Sequence, residues 1–544
     1  MKNSTLVIFM QLTATVALTT PGLTSSALAA TGSANKTLSY ALSTEPPQLN
    51  SLKSTDTESF FILGHTMEGL TRYGKSGEIV PGVAEKWTMN DQGATFTLRK
   101  NAKWSDGKPV TAKDFLFSWR ALVNPKTASE YAFIMYPVKN AEAINKGKLD
   151  PKELGVSAPD DYTVKVVFEK PCGYFLGLTA FGSFMPIRED FYNSKKDRYA
   201  ADAGDLVYNG PFMLTKWTHG ASLALDKNPN YWNKDRIALD RIDIPYITPD
   251  NNARFNFFKD NKVDLLETLN KDDLQKAQAE RLKMKNFADG TLLFLEFNFR
   301  DKRPTANKNL RKAIASVFNA DEYVNRVVGI PGTKAGLGLI PQWLRGSKDL
   351  FRKEHPMAAR KANVAEGKKL IELAKKEMGV TSIPPLVWLT GDTPLSAKEA
   401  EYFQSLLKTT LGLELKIDKQ IFKQRLAKMS AGDFDIVAAG WGPDYSDPMT
   451  FAELMTSWNE NNRGQYKNAA YDKLIRSAQA TAHATTRMTA MADAEKLAID
   501  DFAILPLFER TKVYVHHDRV EGIVRHAVGP DPDFTMASIK TTKQ

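Results

Sequence analysis

Helical and strand-like segments alternate through the second half of the 544-residue chain, and this alternation restricts the fold more than any other feature. Helical spacing of apolar residues occurs in "NLRKAIASVFNADEYVNRVV", "VAEGKKLIELAKKEM" and "KEAEYFQSLLKTTLGLELKI", and a buried-strand pattern occurs in "PPLVWLTG". In the second of these helices we expect Leu370, Leu373 and Ala374 to face inward. The alternation predicts an α/β lobe with a mostly parallel sheet.

The first half of the chain has a different pattern. Alternation of Thr95 and Thr97 with Phe96 and Leu98 after the turn signal "NDQG" predicts a β-hairpin. Thr111 with Asp114 is typical of a helix start. From residue 205 the chain becomes β-rich in "GPFMLTKW", "ASLALDKNPNYW" and "DRIDIPYI". The chain length of 544 residues predicts more than one domain. The sequence has no long flexible linker, which suggests lobes that share crossover strands and a hinge.

Residues 1–29 are typical of a cleavable secretory signal. Lys2 precedes an apolar stretch from Leu6 to Leu18, and small residues end at Ala29. A membrane anchor is the alternative, but the apolar run is too short for a span of ~20 residues. We therefore expect an exported protein without a lipid anchor, since no cysteine lies near the cleavage site. The single cysteine, Cys172, permits no internal disulfide and is predicted to be a small buried hydrophobe.

Composition and motifs argue against several function classes. The net charge of +10 is spread along the chain, and its basic patches do not interleave aromatic residues, so we predict no nucleic-acid partner. The sequence contains no G-x-S-x-G, H-E-x-x-H or phosphate-cradling loop, which predicts no enzyme activity and no catalytic residues. The seven histidines do not form a metal-binding set, and we expect no metal and no cofactor.

A candidate binding segment follows the apolar strand "FDIVAA". It reads "GWGPDYSDPMTF", so the strand leads into a stiff turn that carries an acid, Asp444, and two aromatic residues, Trp441 and Tyr445. Asp444 could bind a ligand, or it could cap the turn by bonding to its own backbone. For Asp447, which precedes Pro448, we expect the structural role alone.

A longer segment is specific enough to suggest a family. The run "AEKWTMNDQGATFTLRKNAKWSDGKPVTAKDFLFSW" resembles the signature region of the large extracytoplasmic solute-binding proteins of peptide ABC transporters, the oligopeptide- and dipeptide-binding family. Further landmarks follow in the order expected of that family: "NGPFMLTKW", "NPNYWN", "LEFNF", "DFDIVAAGWGPDYSDPMTF" and "AILPLFERTKVYV". The resemblance covers about the whole mature chain.

The resemblance implies an α/β fold of the two-lobe periplasmic-binding-protein type, in its large three-domain class, with mixed sheets and a hinge crossover between the lobes. The expected divisions are a signal peptide at 1–29; lobe I from 30–67, 193–290 and 512–544; an additional domain at 68–192; and lobe II at 291–511.

The resemblance also implies a site between the lobes. In the family, the aspartate of the G-W-x-x-D-Y turn reaches the α-ammonium group of a bound peptide, and here that residue is Asp444. Gly440 and Gly442 would let the ligand backbone approach closely. Trp441, Tyr445 and Phe422 are candidates for the apolar walls of side-chain pockets. The segment Thr55, Asp56 and Thr57 would face the peptide from lobe I, although a helix cap is an equal alternative.

The sequence departs from the family at the other end of the ligand. The enterobacterial members hold the peptide carboxylate with arginines, and the corresponding positions here are Met429 and Ala438, which cannot pair with a carboxylate. Arg425, Lys428 and Arg510 are the candidate replacements.

The implied function is capture of extended short peptides for an ABC importer, with delivery to its membrane permease and ATPase subunits by a periplasmic, monomeric protein. The alternatives are a receptor of the same fold for a cell-wall peptide, nickel, haem or a sugar, a receptor for a signalling peptide, or a peptide-binding folding helper.

Overall fold

The computed structural model describes residues 36–540, and the predicted signal sequence lies outside this range. The strands, in chain order, are β1 (Thr37–Leu42), β2 (Thr71–Tyr73), β3 (Ile79–Pro81), β4 (Ala84–Asn90), β5 (Gly93–Leu98), β6 (Val156–Asp160), β7 (Thr163–Val167), β8 (Phe212–Thr218), β9 (Ser222–Lys227), β10 (Arg241–Ile247), β11 (Leu265–Leu266), β12 (Lys285–Phe297), β13 (Lys334–Ala335), β14 (Leu386–Thr390), β15 (Leu415–Lys419), β16 (Ile436–Trp441), β17 (Ile504–His516), β18 (Val520–Glu521) and β19 (Ser538–Ile539).

The α-helices of the same range vary in length from one turn to about five turns. In chain order they are α1 (Thr57–Thr66), α2 (Ala112–Val123), α3 (Ala141–Asn145), α4 (Phe175–Leu178), α5 (Glu189–Lys195), α6 (Asn251–Lys259), α7 (Lys271–Ala279), α8 (Lys308–Ser316), α9 (Ala320–Tyr323), α10 (Phe351–Glu354), α11 (Val364–Met378), α12 (Pro394–Leu411), α13 (Phe422–Ala431), α14 (Met449–Ala452), α15 (Ala469–Gln479) and α16 (Ala484–Asp500). None of these helices is both long enough and apolar enough to cross a bilayer.

The largest sheet is mixed, and its strand order is β15-β14-β16-β12-β17-β11-β1-β10-β9-β8, with β13 added beside β17. β14 lies parallel to β15 and β16, and β1 lies parallel to β10 and β11. The central strand β12 is antiparallel to both of its neighbours, β16 and β17. In the second half of the chain, the expectation of a mostly parallel sheet therefore holds only around β14, because the long strands β12 and β17 pair in antiparallel fashion.

The two longest strands, β12 and β17, run through both halves of this sheet. Their pairing is interrupted between Ala288 and Leu292. Gly290, within the interruption, has a φ of 79°, and a Cβ there would lie 2.9 Å from the carbonyl oxygen of Ala527. A side chain would be strained at this position, so glycine permits the local departure from the ladder. The lobe boundaries expected at 290/291 and 511/512 coincide with this interruption, and the domain division itself stays a prediction.

A second, antiparallel sheet has the order β4-β5-β7-β6 and lies within the segment predicted as an additional domain. The hairpin of β4 and β5 turns where it was predicted. α2 packs on this region through its buried Phe115, Trp119 and Leu122. Its first turn is fixed by Asp114, whose carboxylate accepts a hydrogen bond of 2.8 Å from the Thr111 backbone N–H.

Two predictions about single residues have opposite outcomes. Cys172 is buried as expected, and burial raises the pKa of its thiol well above the usual range. The prediction that Leu373 faces inward is wrong, because 49% of its surface is exposed. The buried face of α11 instead follows Gly367, Leu370, Ile371 and Ala374, a spacing of three, one and three residues that leaves Leu373 at its flank.

Candidate functional site

Asp444 lies in the turn between β16 and α14 and is buried, with 7% of its surface exposed. Its carboxylate accepts a hydrogen bond of 2.9 Å from the hydroxyl of Tyr131. Within residues 36–540 no lysine, arginine or histidine nitrogen lies within 4 Å of it. Burial raises the pKa of Asp444 to about 8, against the opposing effect of hydrogen bonds with Tyr131 and Thr450. The site therefore holds a carboxylate that has no positive partner of its own.

The two acids of the turn have different roles. The described hydrogen bonds to the Asp444 carboxylate include none from a backbone N–H, so it does not cap its own turn. Asp447 accepts a hydrogen bond of 2.9 Å from the Met449 backbone N–H, and Arg487 donates to both of its oxygens. The structural role predicted for Asp447 is thereby accounted for, whereas Asp444 is free to accept from a ligand.

Two other polar groups around Asp444 are buried without a hydrogen-bond partner. The hydroxyl of Tyr73 and Nε1 of Trp441 make no hydrogen bond within the described part of the chain. Burial, together with the nearby Asp444 carboxylate, raises the pKa of Tyr73 well above its usual value. The ring centroids of Trp441 and Tyr131 are 6.2 Å apart. Because buried polar groups are nearly always satisfied in native proteins, these two donors are available to a bound group.

The strand that leads to Asp444 has an unpaired edge. β14 pairs with β16 only at Ile436 and Val437. Beyond them, the carbonyl of Ala438 accepts a hydrogen bond of 2.8 Å from Arg425. Alternation along a strand points the N–H and C=O of Gly440 toward this same edge, where no described strand lies. Such an edge can pair with an extended chain.

Both predicted glycines border this edge, and they differ in the space around them. A Cβ on Gly440 would lie 2.8 Å from Cδ1 of Leu293, which is too close without a shift of that side chain. A Cβ on Gly442 would meet only the methyl of Thr57 and the hydroxyl of Thr291, both at 3.6 Å. The protein itself therefore does not require glycine at 442, and the open space lies between β16 and the start of α1.

The segment Thr55–Thr57 forms the facing wall. Asp56 is the N-cap of α1 and accepts hydrogen bonds of 2.8 Å from the Ser59 N–H and 2.7 Å from the Ser59 hydroxyl. The helix-cap alternative is therefore correct for Asp56. Thr55 accepts a hydrogen bond of 3.3 Å from Arg463, and Thr57 is exposed opposite Gly442.

Comparison with known proteins decides the family. The model of the bacterial extracellular solute-binding proteins, family 5 Middle, matches residues 78–463, which is more than half of the chain. This chain is a family 5 solute-binding protein. The family binds solutes, in agreement with the prediction of a binding protein instead of an enzyme.

Individual family 5 proteins are similar over most of their length. The dipeptide-binding protein DppE of Bacillus subtilis is 33% identical over 469 residues, which cover 86% of this chain and 85% of that protein. The structure of Listeria monocytogenes OppA bound to peptide has a TM-score of 0.88 at 32% identity and covers 94% of this chain and all of that one. The predicted fold class is confirmed by this similarity.

A third family 5 protein distinguishes two arrangements of the fold. One structure of the Escherichia coli murein tripeptide binding protein MppA has a TM-score of 0.83, at 28% identity, and covers 93% of this chain and 99% of that one. The unliganded open form of MppA, at the same identity and with 93% and 98% coverage, has a TM-score of only 0.62. Both structures are of MppA, so the difference in TM-score comes from a difference in conformation. The structure described here is therefore not in that open arrangement.

Ion pairs that sequence analysis did not find join the predicted additional domain to lobe II. Glu130 lies 2.9 Å from Arg463, and Glu142 lies 2.6 Å from Arg476. Each pair spans more than 300 residues of sequence, as does the Tyr131–Asp444 hydrogen bond. Local patterns contain no signal for such contacts, so these residues were missed.

The predicted apolar walls lie at different depths. Tyr445 is 2% exposed and stacks on Tyr174, with ring centroids 4.9 Å apart, so its ring packs inside the protein. Phe422 is partly buried at the start of α13, with the guanidinium of Arg425 5.4 Å from its ring centroid. Within residues 36–540, no three acidic, histidine or cysteine side chains are arranged to hold a metal ion.

Proposed function

We propose that this protein captures extended peptides between two lobes, with the peptide α-ammonium bound by Asp444, and delivers them to the permease of an ABC importer. The observation that carries this proposal is the state of Asp444: it is buried, hydrogen-bonded to Tyr131 and without a cation. A buried carboxylate is stable when it is paired with a positive group or protonated. A ligand ammonium supplies the positive group and forms a charge-assisted hydrogen bond.

The free edge of β16 supplies the rest of the interaction. An extended peptide that adds to this edge forms main-chain hydrogen bonds with Gly440, and these do not depend on its side chains. The fixed charge at Asp444 then sets the register of the peptide. The space beside Gly442 admits the ligand backbone between β16 and Thr57.

Closure and export complete the proposed function. The interruption of the β12–β17 ladder at 289–291 is the hinge, and Glu130–Arg463 and Glu142–Arg476 form as the lobes close. The exported protein works as a monomer in the periplasm, where the closed, loaded form docks on the permease and its ATPase subunits drive import. The relatives include proteins named as periplasmic.

A cell-wall peptide is the second candidate ligand. It is favoured by the relationship to MppA, a periplasmic murein peptide-binding protein that is 31% identical over 472 residues. A murein peptide with a free amino end offers Asp444 the same ammonium group. Binding by Asp444 does not distinguish an ordinary peptide from a murein peptide. Competition between the two in a binding assay does.

The proposed function is tested by isothermal titration of the mature protein with a mixed peptide library and with the same library after N-acetylation. We expect binding of the free-amine library and none, or far weaker binding, of the acetylated one. Equal binding of both libraries would show that no ammonium is recognised. A murein tripeptide added as competitor identifies the ligand class, and mass spectrometry of co-purified material provides an independent check.

A further inference from the structure

Thr291 borders the space proposed for the peptide backbone, although it belongs to β12 and not to the turn that carries Asp444. A Cβ on Gly442 would lie 3.6 Å from the Thr291 hydroxyl oxygen and 3.6 Å from the methyl group of Thr57. A Cβ on Gly440 would lie 3.5 Å from the Thr291 methyl group. The hydroxyl of Thr291 therefore lies at the gap between β16 and the start of α1.

The hydroxyl of Thr291 has an unused donor. Its oxygen accepts a hydrogen bond of 3.1 Å from Nη2 of Arg510. A hydroxyl group also has one hydrogen to donate, and no acceptor within residues 36–540 receives it. Thr291 is buried, with 6% of its surface exposed. A buried donor of this kind needs an acceptor, which a ligand carbonyl in the adjacent gap would supply.

The side chain of Arg510 is held in place by an ion pair with Asp289. Nε of Arg510 donates a hydrogen bond of 2.7 Å to the Asp289 carboxylate, and the Thr291 backbone N–H donates one of 3.2 Å to the same carboxylate. Although burial opposes ionisation, the charges of Arg510 and Lys512 lower the pKa of Asp289. Asp289 is therefore negative at neutral pH. It holds both the backbone of Thr291 and the cation that orients the Thr291 hydroxyl.

This ion pair crosses the interruption between β12 and β17. The two strands pair at Ala288 and again at Leu292, and Arg510 lies on β17 between the partners of these two residues. The Asp289–Arg510 pair therefore joins the strands where ladder pairing is absent, which is the proposed hinge. A ligand group that binds the Thr291 hydroxyl is then connected to the hinge through a single arginine.

From this geometry we propose that Thr291 is a further ligand-binding residue, whose hydroxyl donates a hydrogen bond to a main-chain carbonyl of the peptide, with Arg510 as its positioning residue. The proposal deepens the proposed function and rests on it. The hydrogen bond from the positive Arg510 polarises the hydroxyl and makes it a stronger donor. Because every peptide has main-chain carbonyls, this contact is compatible with any ligand side chains. It differs from pairing along Gly440, since the donor is a side chain that is oriented from the hinge.

The experiment replaces one main-chain carbonyl oxygen of the peptide at a time by sulfur, which is a weaker hydrogen-bond acceptor. Tetra-alanine and its single-thioamide analogues are titrated into the mature wild type, Thr291→Val and Thr291→Ser. At one position we expect the wild type to bind the thioamide about 2-fold to 10-fold more weakly than tetra-alanine, the range for one neutral hydrogen bond. Thr291→Val keeps the shape of the side chain without the hydroxyl, so the loss at that position should disappear. Thr291→Ser keeps the hydroxyl and should retain the loss.

Arg510→Lys tests the positioning role. Lysine keeps a positive charge beside Asp289, but it lacks the second nitrogen that donates to the Thr291 hydroxyl. We expect a smaller loss than in the wild type at the position that depends on Thr291, and unchanged losses at the other positions. A purely structural role of Arg510 would not select one carbonyl of the ligand. Thermal unfolding confirms that each variant is folded.

Thr381→Val is the matched control, because it removes the hydroxyl of an exposed threonine before β14. We expect it to show the same losses as the wild type. The ligand contact is overturned if the wild type shows no loss at any position, or if Thr291→Val shows the losses of the wild type at every position. The positioning role is overturned if Arg510→Lys leaves the Thr291-dependent loss unchanged. These results differ from failure of the proposed function, in which N-acetylation of tetra-alanine would also leave its affinity unchanged.

Discussion

The hydroxyl of Tyr131 donates a hydrogen bond of 2.9 Å to the carboxylate of Asp444, across 313 residues of sequence. This contact joins the predicted additional domain to the turn that is proposed to hold the ligand. It satisfies one lone pair of a buried acid and leaves the others available.

Replacement of Asp444 by asparagine should lower affinity for free-amine peptides by about 2–4 kcal/mol, because the ligand ammonium is then buried without a counter-charge. Isothermal titration measures this loss. Asp301→Asn, at an exposed position of the predicted lobe II, is the control and should bind as the wild type does. Unchanged affinity in Asp444→Asn would show that the carboxylate does not contact the ammonium.

Peptide affinity should rise with pH between about 6 and 8. The pKa of Asp444 is about 8 without ligand, so at pH 6 the carboxyl is protonated and must release its proton to pair with an ammonium. Above about pH 8 the peptide loses its own positive charge, since an α-amino group has a pKa of about 7.7–8.0. Titration at pH 6 in buffers of different ionisation enthalpy should detect about one released proton. Affinity that is constant over this range, or the same proton release in Asp444→Asn, would contradict the assignment.

The ligand-free protein should show the same titration in its stability. The folded pKa of Asp444 lies above the unfolded value of about 3.9, so the carboxyl stabilises the folded state below about pH 4. That contribution is lost as the pH rises through about 8. The melting temperature of the empty wild type should therefore fall relative to that of Asp444→Asn as the pH is raised from 4 to 8. Parallel stability curves for the two proteins would show that Asp444 is not desolvated.

Gly442→Leu should abolish peptide binding while the protein remains folded. A Cβ at 442 meets no atom closer than 3.6 Å, but a leucine side chain occupies the space proposed for the ligand backbone. We expect affinity to fall by a factor of roughly 100 or more, and the melting temperature to change by about 1–2 °C. Gly204→Leu, where a Cβ meets nothing within 4 Å, is the control and should leave both quantities unchanged. Tight binding by Gly442→Leu would place the ligand elsewhere.

The ion pairs between the predicted additional domain and lobe II should favour the closed state. The double variant Glu130→Gln/Glu142→Gln removes both acids, and partly exposed pairs contribute about 0.2–1 kcal/mol each. We expect a larger radius of gyration in small-angle X-ray scattering of the empty protein, and peptide affinity lowered by about 2-fold to 30-fold. Asp161→Asn, which breaks the exposed pair with Lys113, is the control. A scattering profile identical to that of the wild type would remove these pairs from the closing mechanism.

Much of the local structure was predictable from sequence because its causes are local. The turn at Asn90–Gly93 fixed the hairpin, and the strand before Gly440 located the turn that carries Asp444. Leu373 was assigned to the wrong face because one exposed leucine costs little and is therefore common on a flank. Tyr131, Glu130 and Arg463 were not predictable, since their partners lie in distant parts of the chain.

The sequence does not show which cation is available to a ligand carboxylate, because this depends on three-dimensional contacts. In sequence Arg425, Lys428 and Arg510 are equivalent candidates for a ligand carboxylate. The structure separates them by their partners, since two are paired with aspartates and one is not. Residue type alone does not reveal whether a cation already has a counter-ion.

The long strands β12 and β17 carry the chain across the interruption at 289–291 without a break in the backbone. In the proposed closing motion, rotation at these few residues turns the paired segments on either side relative to each other. Rotation at this point would then set how wide the proposed cleft opens. A permease that binds both proposed lobes would therefore release the peptide by separating them, without contacting the peptide itself.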